Sequence, residues 1–168
     1  KMRNLMKALS CFKAYDIRGE IDVNIDAEIV YRVGRAISQH FSAKSVVIGY
    51  DARETSPTFA TAIAKGIQDS GSNVINIGLA GTEEMYAAVS EFGACAGVEV
   101  TASHNPIDYN GMKIVGRGSK PLNTDEFGQI KVLVEENNLR EGRFECNLSI
   151  PWTSRARKLE TSLHACIG

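Results

Sequence analysis

Apolar positions along the chain alternate between two periods in a regular order. Over residues 26–41 they fall at Ile29, Val30, Val33, Ile37 and Phe41, the spacing of one helix face, and Asp26 stands where an N-cap belongs. Residues 45–49 then form a short continuous apolar run, as expected of a strand buried on both faces. The helical period returns from Pro57 through Phe59, Ile63, Ala64 and Ile67, with Gly71 as a stop signal. Residues 74–77 predict another strand, and Thr82-Glu83-Glu84 opens a helix that runs toward Phe92. Residues 97–101 and 112–115 predict two more strands, and residues 125–136 a further helix.

Short apolar strands alternating with helices indicate βαβ units. Right-handed crossovers place the helices on both faces of the sheet. The expectation is a single three-layer α/β/α domain with a mainly parallel sheet, in which residues 112–115 add a strand of opposite sense. In such sheets the loops beyond the carboxyl ends of the strands form the functional edge. Here those loops begin at Tyr15, Tyr50 and Ala102.

Composition adds mainly exclusions. The chain has 168 residues, 43% hydrophobic and 23% charged, with a formal net charge of -1. Those values describe one domain of ordinary globular composition, at about 150 residues per domain. A balance near zero gives no reason to expect nucleic acid or an anionic membrane as partner. No apolar run approaches the roughly 18 residues of a membrane span. Residues 1–10 imitate a secretory signal only faintly, because Lys7 interrupts the apolar stretch and no small-residue cleavage site follows. They read as a leader into the first strand, and the expected location is the cytoplasm. Cys11, Cys95, Cys146 and Cys166 form no C-x-x-C pair, so buried or half-buried thiols are expected rather than zinc ligands. The sequon Asn147-Leu148-Ser149 carries meaning only in a secreted protein.

The chemistry concentrates in Thr101-Ala102-Ser103-His104-Asn105-Pro106 and the following Asp108-Tyr109-Asn110-Gly111-Met112-Lys113. This stretch puts a hydroxyl at the sheet edge beside an imidazole, an amide and a rigid turn. Pro106 restricts Asn105, Asn110-Gly111 reads as a tight turn, and Lys113 returns a cation toward the loop. A hydroxyl, a base and a cation together suit a nucleophile that accepts a phosphoryl group. The plainer alternative has Ser103 and Asn105 satisfying backbone groups in a turn. A serine hydrolase is disfavoured because G-x-S-x-G is absent, and Gly116-Arg117-Gly118-Ser119-Lys120 lacks the spacing of a Walker A loop. Tyr15-Asp16-Ile17-Arg18-Gly19 and Gly49-Tyr50-Asp51-Ala52-Arg53 each offer a guanidinium for an anion. For each of these the alternative is an exposed or mutually paired charge.

Residues 11–19, the Gly49 to Arg53 loop, the Gly81-Thr82-Glu83-Glu84 helix start and the Ser-His-Asn-Pro motif stand in the order found in α-D-phosphohexomutases. The sequence resembles their N-terminal catalytic-serine domain, nearest to the bacterial phosphomannomutase branch, over roughly residues 9 to 136. The resemblance implies that residues 1–149 are domain I of such an enzyme. It implies that Ser103 carries the phosphoryl group, that His104 transfers or positions a proton, and that Lys113 is the general base. Tyr15, Arg18, Arg53 and Asn105 would hold substrate or phosphate, with Arg53 also supporting the loop. The implied reaction interconverts hexose 6-phosphate and hexose 1-phosphate, mannose above all, through a hexose 1,6-bisphosphate. Mg²⁺ would bind one oxygen of the Ser103 phosphate, with its remaining ligands in another domain.

The resemblance also implies domains II–IV, and no counterpart of the family's metal, sugar-specificity and phosphate-clamping loops stands in this sequence. Residues 150–168 diverge, with Leu159, Leu163 and Ile167 at helical spacing. The isolated chain is expected to be inactive. The alternative from another class is a non-catalytic remnant or phosphate-binding module without turnover.

Overall fold

The computed structural model describes residues 10–137, 139 and 142, together with the backbone of 147–149. Among them six strands, β1 (Ile17–Glu20), β2 (Ser45–Tyr50), β3 (Asn73–Leu79), β4 (Ala96–Val100), β5 (Tyr109–Gly116) and β6 (Asn147–Ser149), form one sheet in the order β1-β5-β4-β2-β3-β6. Strands β4, β2, β3 and β6 pair in parallel, whereas β5 runs antiparallel to both of its neighbours. The sheet is therefore mainly parallel, and the strand of opposite sense is where the sequence places it.

Among the described residues four helices cover the sheet: α1 (Ala27–His40), α2 (Ser56–Asp69), α3 (Thr82–Glu91) and α4 (Thr124–Glu136). The Asp26 carboxylate accepts from Ile29 N at 2.9 Å and caps α1 as its sequence position predicts. Pro57 lies in the first turn of α2, where a missing N–H costs nothing. At α3 the Glu84 carboxylate accepts from Gly81 N at 2.5 Å, and at α4 Asn123 and Glu126 close a capping box.

Alternation along the strands divides the core between two layers. One face carries Val46, Ile48, Val98, Val100, Met112 and Ile114, packed with Val30, Val33, Ile63, Ile67 and Ile130 from α1, α2 and α4. The other carries Val47, Ile75, Ile77 and Val115, packed with Met85, Ala88 and Val89 of α3. This is the expected α/β/α arrangement.

Two local readings change. Asn110-Gly111 is not a tight turn; both residues lie inside β5. A Cβ at position 111 would strike the Ile17 carbonyl, so the glycine serves the close approach of β1 rather than a reversal of the chain. Arg18 and Gly19 likewise sit on β1, not in a loop. A four-residue strand this polar gives too weak a period-2 signal to read from sequence, and its pairing with β5 decides its conformation. Residues 1–9 and 150–168, with the leader and the C-terminal helical spacing, lie outside the described residues, as do Cys146 and Cys166. Cys11 and Cys95 are buried thiols, and burial pushes the Cys11 thiol up to about 11, which leaves it inert at neutral pH.

Candidate active site

The loop after β4 carries the central feature. Ser103 is exposed and holds a left-handed backbone with φ of 53°, a region that non-glycine residues seldom occupy. Its N–H donates to Thr101 Oγ1 at 3.0 Å, and among the described residues its own hydroxyl has no hydrogen-bond partner. Asn105 folds back, donating from both its backbone N and its amide to the Ala102 carbonyl, at 3.1 and 2.9 Å. The Asn105 side chain is thus committed to the turn. His104 is exposed beside Ser103.

Arg53 organises this loop from across the sheet edge. Its terminal nitrogens donate to the carbonyls of Pro106 at 2.7 Å, Tyr109 at 3.1 Å, Ser103 at 3.0 Å and Asn105 at 2.6 Å. Its Nε lies 3.5 Å from Asp51 Oδ2. The planar fork of a guanidinium can meet several carbonyls at once, which an ammonium cannot. Its N–H groups thus meet loop backbone and the Asp51 carboxylate. Asp51 in turn accepts from Arg53 N at 3.0 Å and from the Ser56 hydroxyl at 2.6 Å. Buried Asn110 donates to Thr55 Oγ1 and Ser56 Oγ, at 2.8 and 3.0 Å. The start of α2 is thereby tied to β5.

Strand register brings the remaining residues to the same edge. Arg18 pairs with Gly111, whose carbonyl accepts from Thr101 N at 3.0 Å. Lys113 pairs with Glu99, and Glu99 with Gly49. Directly opposed residues share a sheet face, so Arg18 and Lys113 lie on the face that carries α3. Arg18 donates to Asp16 Oδ2 at 2.6 Å, while its Nε is buried without a partner. Tyr15, just before β1, is 76% exposed, and Ile107 in the serine loop is 77% exposed.

Glu99 was not singled out by its sequence. It is 1% exposed, and neither carboxylate oxygen has a hydrogen bond. Desolvation pushes it up to about 8, reinforced by Asp51, Glu84 and Glu83 and opposed by Lys113. The signal was a lone carboxylate inside an apolar strand. Among the described residues no three His, Cys, Asp or Glu side chains stand together as a metal site. A phosphorylated Ser103 would offer Mg²⁺ one ligand from this chain, fewer than such an ion requires.

The fold is a three-layer α/β/α domain that presents an exposed serine in a left-handed conformation on a braced loop at the carboxyl edge of its sheet. Residues 10–141 match the family description "Phosphoglucomutase/phosphomannomutase, alpha/beta/alpha domain I". A phosphomannomutase of Vibrio cholerae is 49% identical over 142 residues, covering 81% of this chain and 31% of that protein. One of Klebsiella pneumoniae is 47% identical over 133 residues, covering 79% and 85%. The crystal structure of a phosphoglucomutase/phosphomannomutase family protein from Burkholderia thailandensis superposes with a TM-score of 0.75 at 31% identity, covering 84% of this chain and 32% of that one. The chain belongs to the phosphoglucomutase/phosphomannomutase family, in which it corresponds to domain I. It spans about a third of the length of the Vibrio cholerae relative.

Proposed function

We propose that this chain is the catalytic-serine domain of a phosphohexomutase that interconverts hexose 6-phosphate and hexose 1-phosphate, with mannose as the sugar. Ser103 Oγ carries the phosphoryl group. It passes that group to the free hydroxyl of a hexose monophosphate, and the resulting hexose 1,6-bisphosphate reorients and returns its other phosphoryl to Ser103. Lys113 removes the proton from the attacking hydroxyl, and His104 transfers or positions a proton beside it. Arg18 and Tyr15 face the transferring phosphate, and Arg53 and Asn105 hold the loop in shape for it. Mg²⁺ on the phosphoserine oxygen would supply charge neutralisation. A reaction on hexose phosphates places the enzyme in the cytoplasm. Among the described residues no helix is long and apolar enough to cross a membrane.

The observation that carries this reading is the conformation of Ser103, exposed at φ 53° on a loop whose carbonyls converge on Arg53. Orienting a nucleophile in this way is much of what phosphoryl transfer asks of a protein. Residues 1–149 form the domain, and domains II–IV provide the metal carboxylates, sugar contacts and distal phosphate clamp. Without them the phosphate stays in water, where charged contacts are weak, and the isolated chain does not turn over. Incubation with a hexose 1,6-bisphosphate, followed by peptide mapping, tests the reading. Label is expected on Ser103 alone, slowly in the 168-residue chain and fast with domains II–IV restored. Label on another serine of the restored protein overturns it.

A further inference from the structure

Glu99 has no part in the proposed chemistry, yet it lies in the row Gly49, Glu99, Lys113 that crosses three strands beneath the serine loop. Both carboxyl oxygens are enclosed and without hydrogen bonds. The carboxyl leans over the bare Cα of Gly49, where any side chain would collide with Oε2. The groups that face it are Asp51 from the end of β2, Glu83 and Glu84 from the first turn of α3, and Lys113 from β5. Three of these four are acidic. Lys113 forms no ion pair with Glu99 in the resting geometry.

An ionised carboxylate in such a place would be desolvated, unbonded and next to like charges, whereas the neutral acid avoids most of that cost. We propose that Glu99 is a positioning residue for Lys113: as a neutral acid it leaves the amino group free to face the serine loop, and as a carboxylate it holds that group as an ammonium drawn down onto the sheet. The step is loss of the carboxyl O–H proton to solvent, with no other bond made or broken. Lys113 is the adjacent cation, so an ionised Glu99 has one partner within its own row. The site is then set by pH, open while Glu99 holds its proton and withdrawn once it does not. This inference rests on the proposed role of Lys113, but its test needs no turnover.

The test follows the side-chain carboxyl carbons of glutamate and the Cε resonance of Lys113 by ¹³C NMR in the 168-residue chain, with Glu99→Gln used for assignment. Glu99 is expected to titrate near pH 8, and the Lys113 resonance to move with the same midpoint. In Glu99→Gln that movement at Lys113 disappears. Ionisation of Glu99 below pH 6, or a Lys113 resonance that moves identically in both proteins, overturns the proposal. So does release of the Glu99 proton on adding Mg²⁺ alone, which would make the carboxyl a cation ligand. The wild-type titration of Glu99 stands even if the variant does not fold, and Glu99→Met provides a second uncharged comparison. Failure of the phosphoryl-transfer reading would appear separately, as an unlabelled Ser103 with this titration intact.

Discussion

Two neighbouring regions of this edge are built in opposite ways. Around Arg53, a guanidinium meets four loop carbonyls and a carboxylate, and Asp51, Ser56 and Asn110 extend the network into β5 and α2. One strand away, Glu99 is as buried as any core residue and has no partner for either oxygen. A fully satisfied polar network fixes one geometry, because each lost bond leaves a buried group unpaired. An unsatisfied acid fixes a protonation state instead, and that state changes with pH. The loop is thus held still over a group that can switch.

The largest effect expected from breaking this contrast is on pH-dependent stability. Unfolded Glu99 ionises near 4.5, while the folded chain keeps it protonated up to about 8. Between those values the native state holds the extra proton, so stability falls as pH rises, by at most about 1.4 kcal/mol per pH unit. The contribution is complete below pH 4.5 and gone above about 8. Urea unfolding at pH 5, 7 and 9 should show this decline in the wild type and a flatter profile in Glu99→Gln, which becomes the more stable protein at pH 9. Parallel profiles would mean that Glu99 ionises normally.

Removing Arg53 attacks the satisfied side. Arg53→Ala deletes four charge-assisted bonds to loop carbonyls and should cost about 2–3 kcal/mol. Phosphoryl incorporation at Ser103 should drop by about a hundredfold, as a loosened nucleophile loses its orientation. Arg53→Lys keeps the charge but not the fork and should recover little of either. Full recovery by lysine would show that charge alone holds the loop. A smaller loss, about 1–2 kcal/mol in urea unfolding, is expected for Asn110→Ala, which leaves the Thr55 and Ser56 hydroxyls without their donor.

How far the sequence shows this arrangement depends on the range of the forces involved. The four helices and the strands β2 to β5 declare themselves through periodicity, and Asp26 shows its cap through a contact only three residues away. The serine loop is legible because its chemistry is contiguous. Spacing alone does not show the support that Arg53 gives the loop, which only the family resemblance implied, since its carbonyl partners lie 50 to 56 residues further along the chain. Only the fold brings them together. β1 is too short and polar to stand out, and Asn110-Gly111 misleads because the same pair serves turns and close strand contacts alike. Glu99 was visible as a charge inside an apolar strand, but its significance lies in partners that are missing, which no spacing records.

The smallest predicted effect concerns the residue on which the functional reading depends. Ser103 sits at φ 53°, where a Cβ crowds the backbone and glycine does not. Ser103→Gly should therefore relieve local strain, offset by the greater freedom of glycine in the unfolded chain. Ser103→Ala keeps the strain and loses only an exposed hydroxyl, so it should match the wild type within about 0.5 kcal/mol. The expected order in thermal unfolding is Ser103→Gly more stable than Ser103→Ala by about 0.5–1 kcal/mol. Both variants should refuse the phosphoryl label. That pattern would mark position 103 as a place where backbone comfort is given up to aim a hydroxyl, with the Arg53 network supplying the constraint. If glycine proves less stable than alanine, the left-handed conformation carries no strain, and the loop is an ordinary turn that happens to contain a serine.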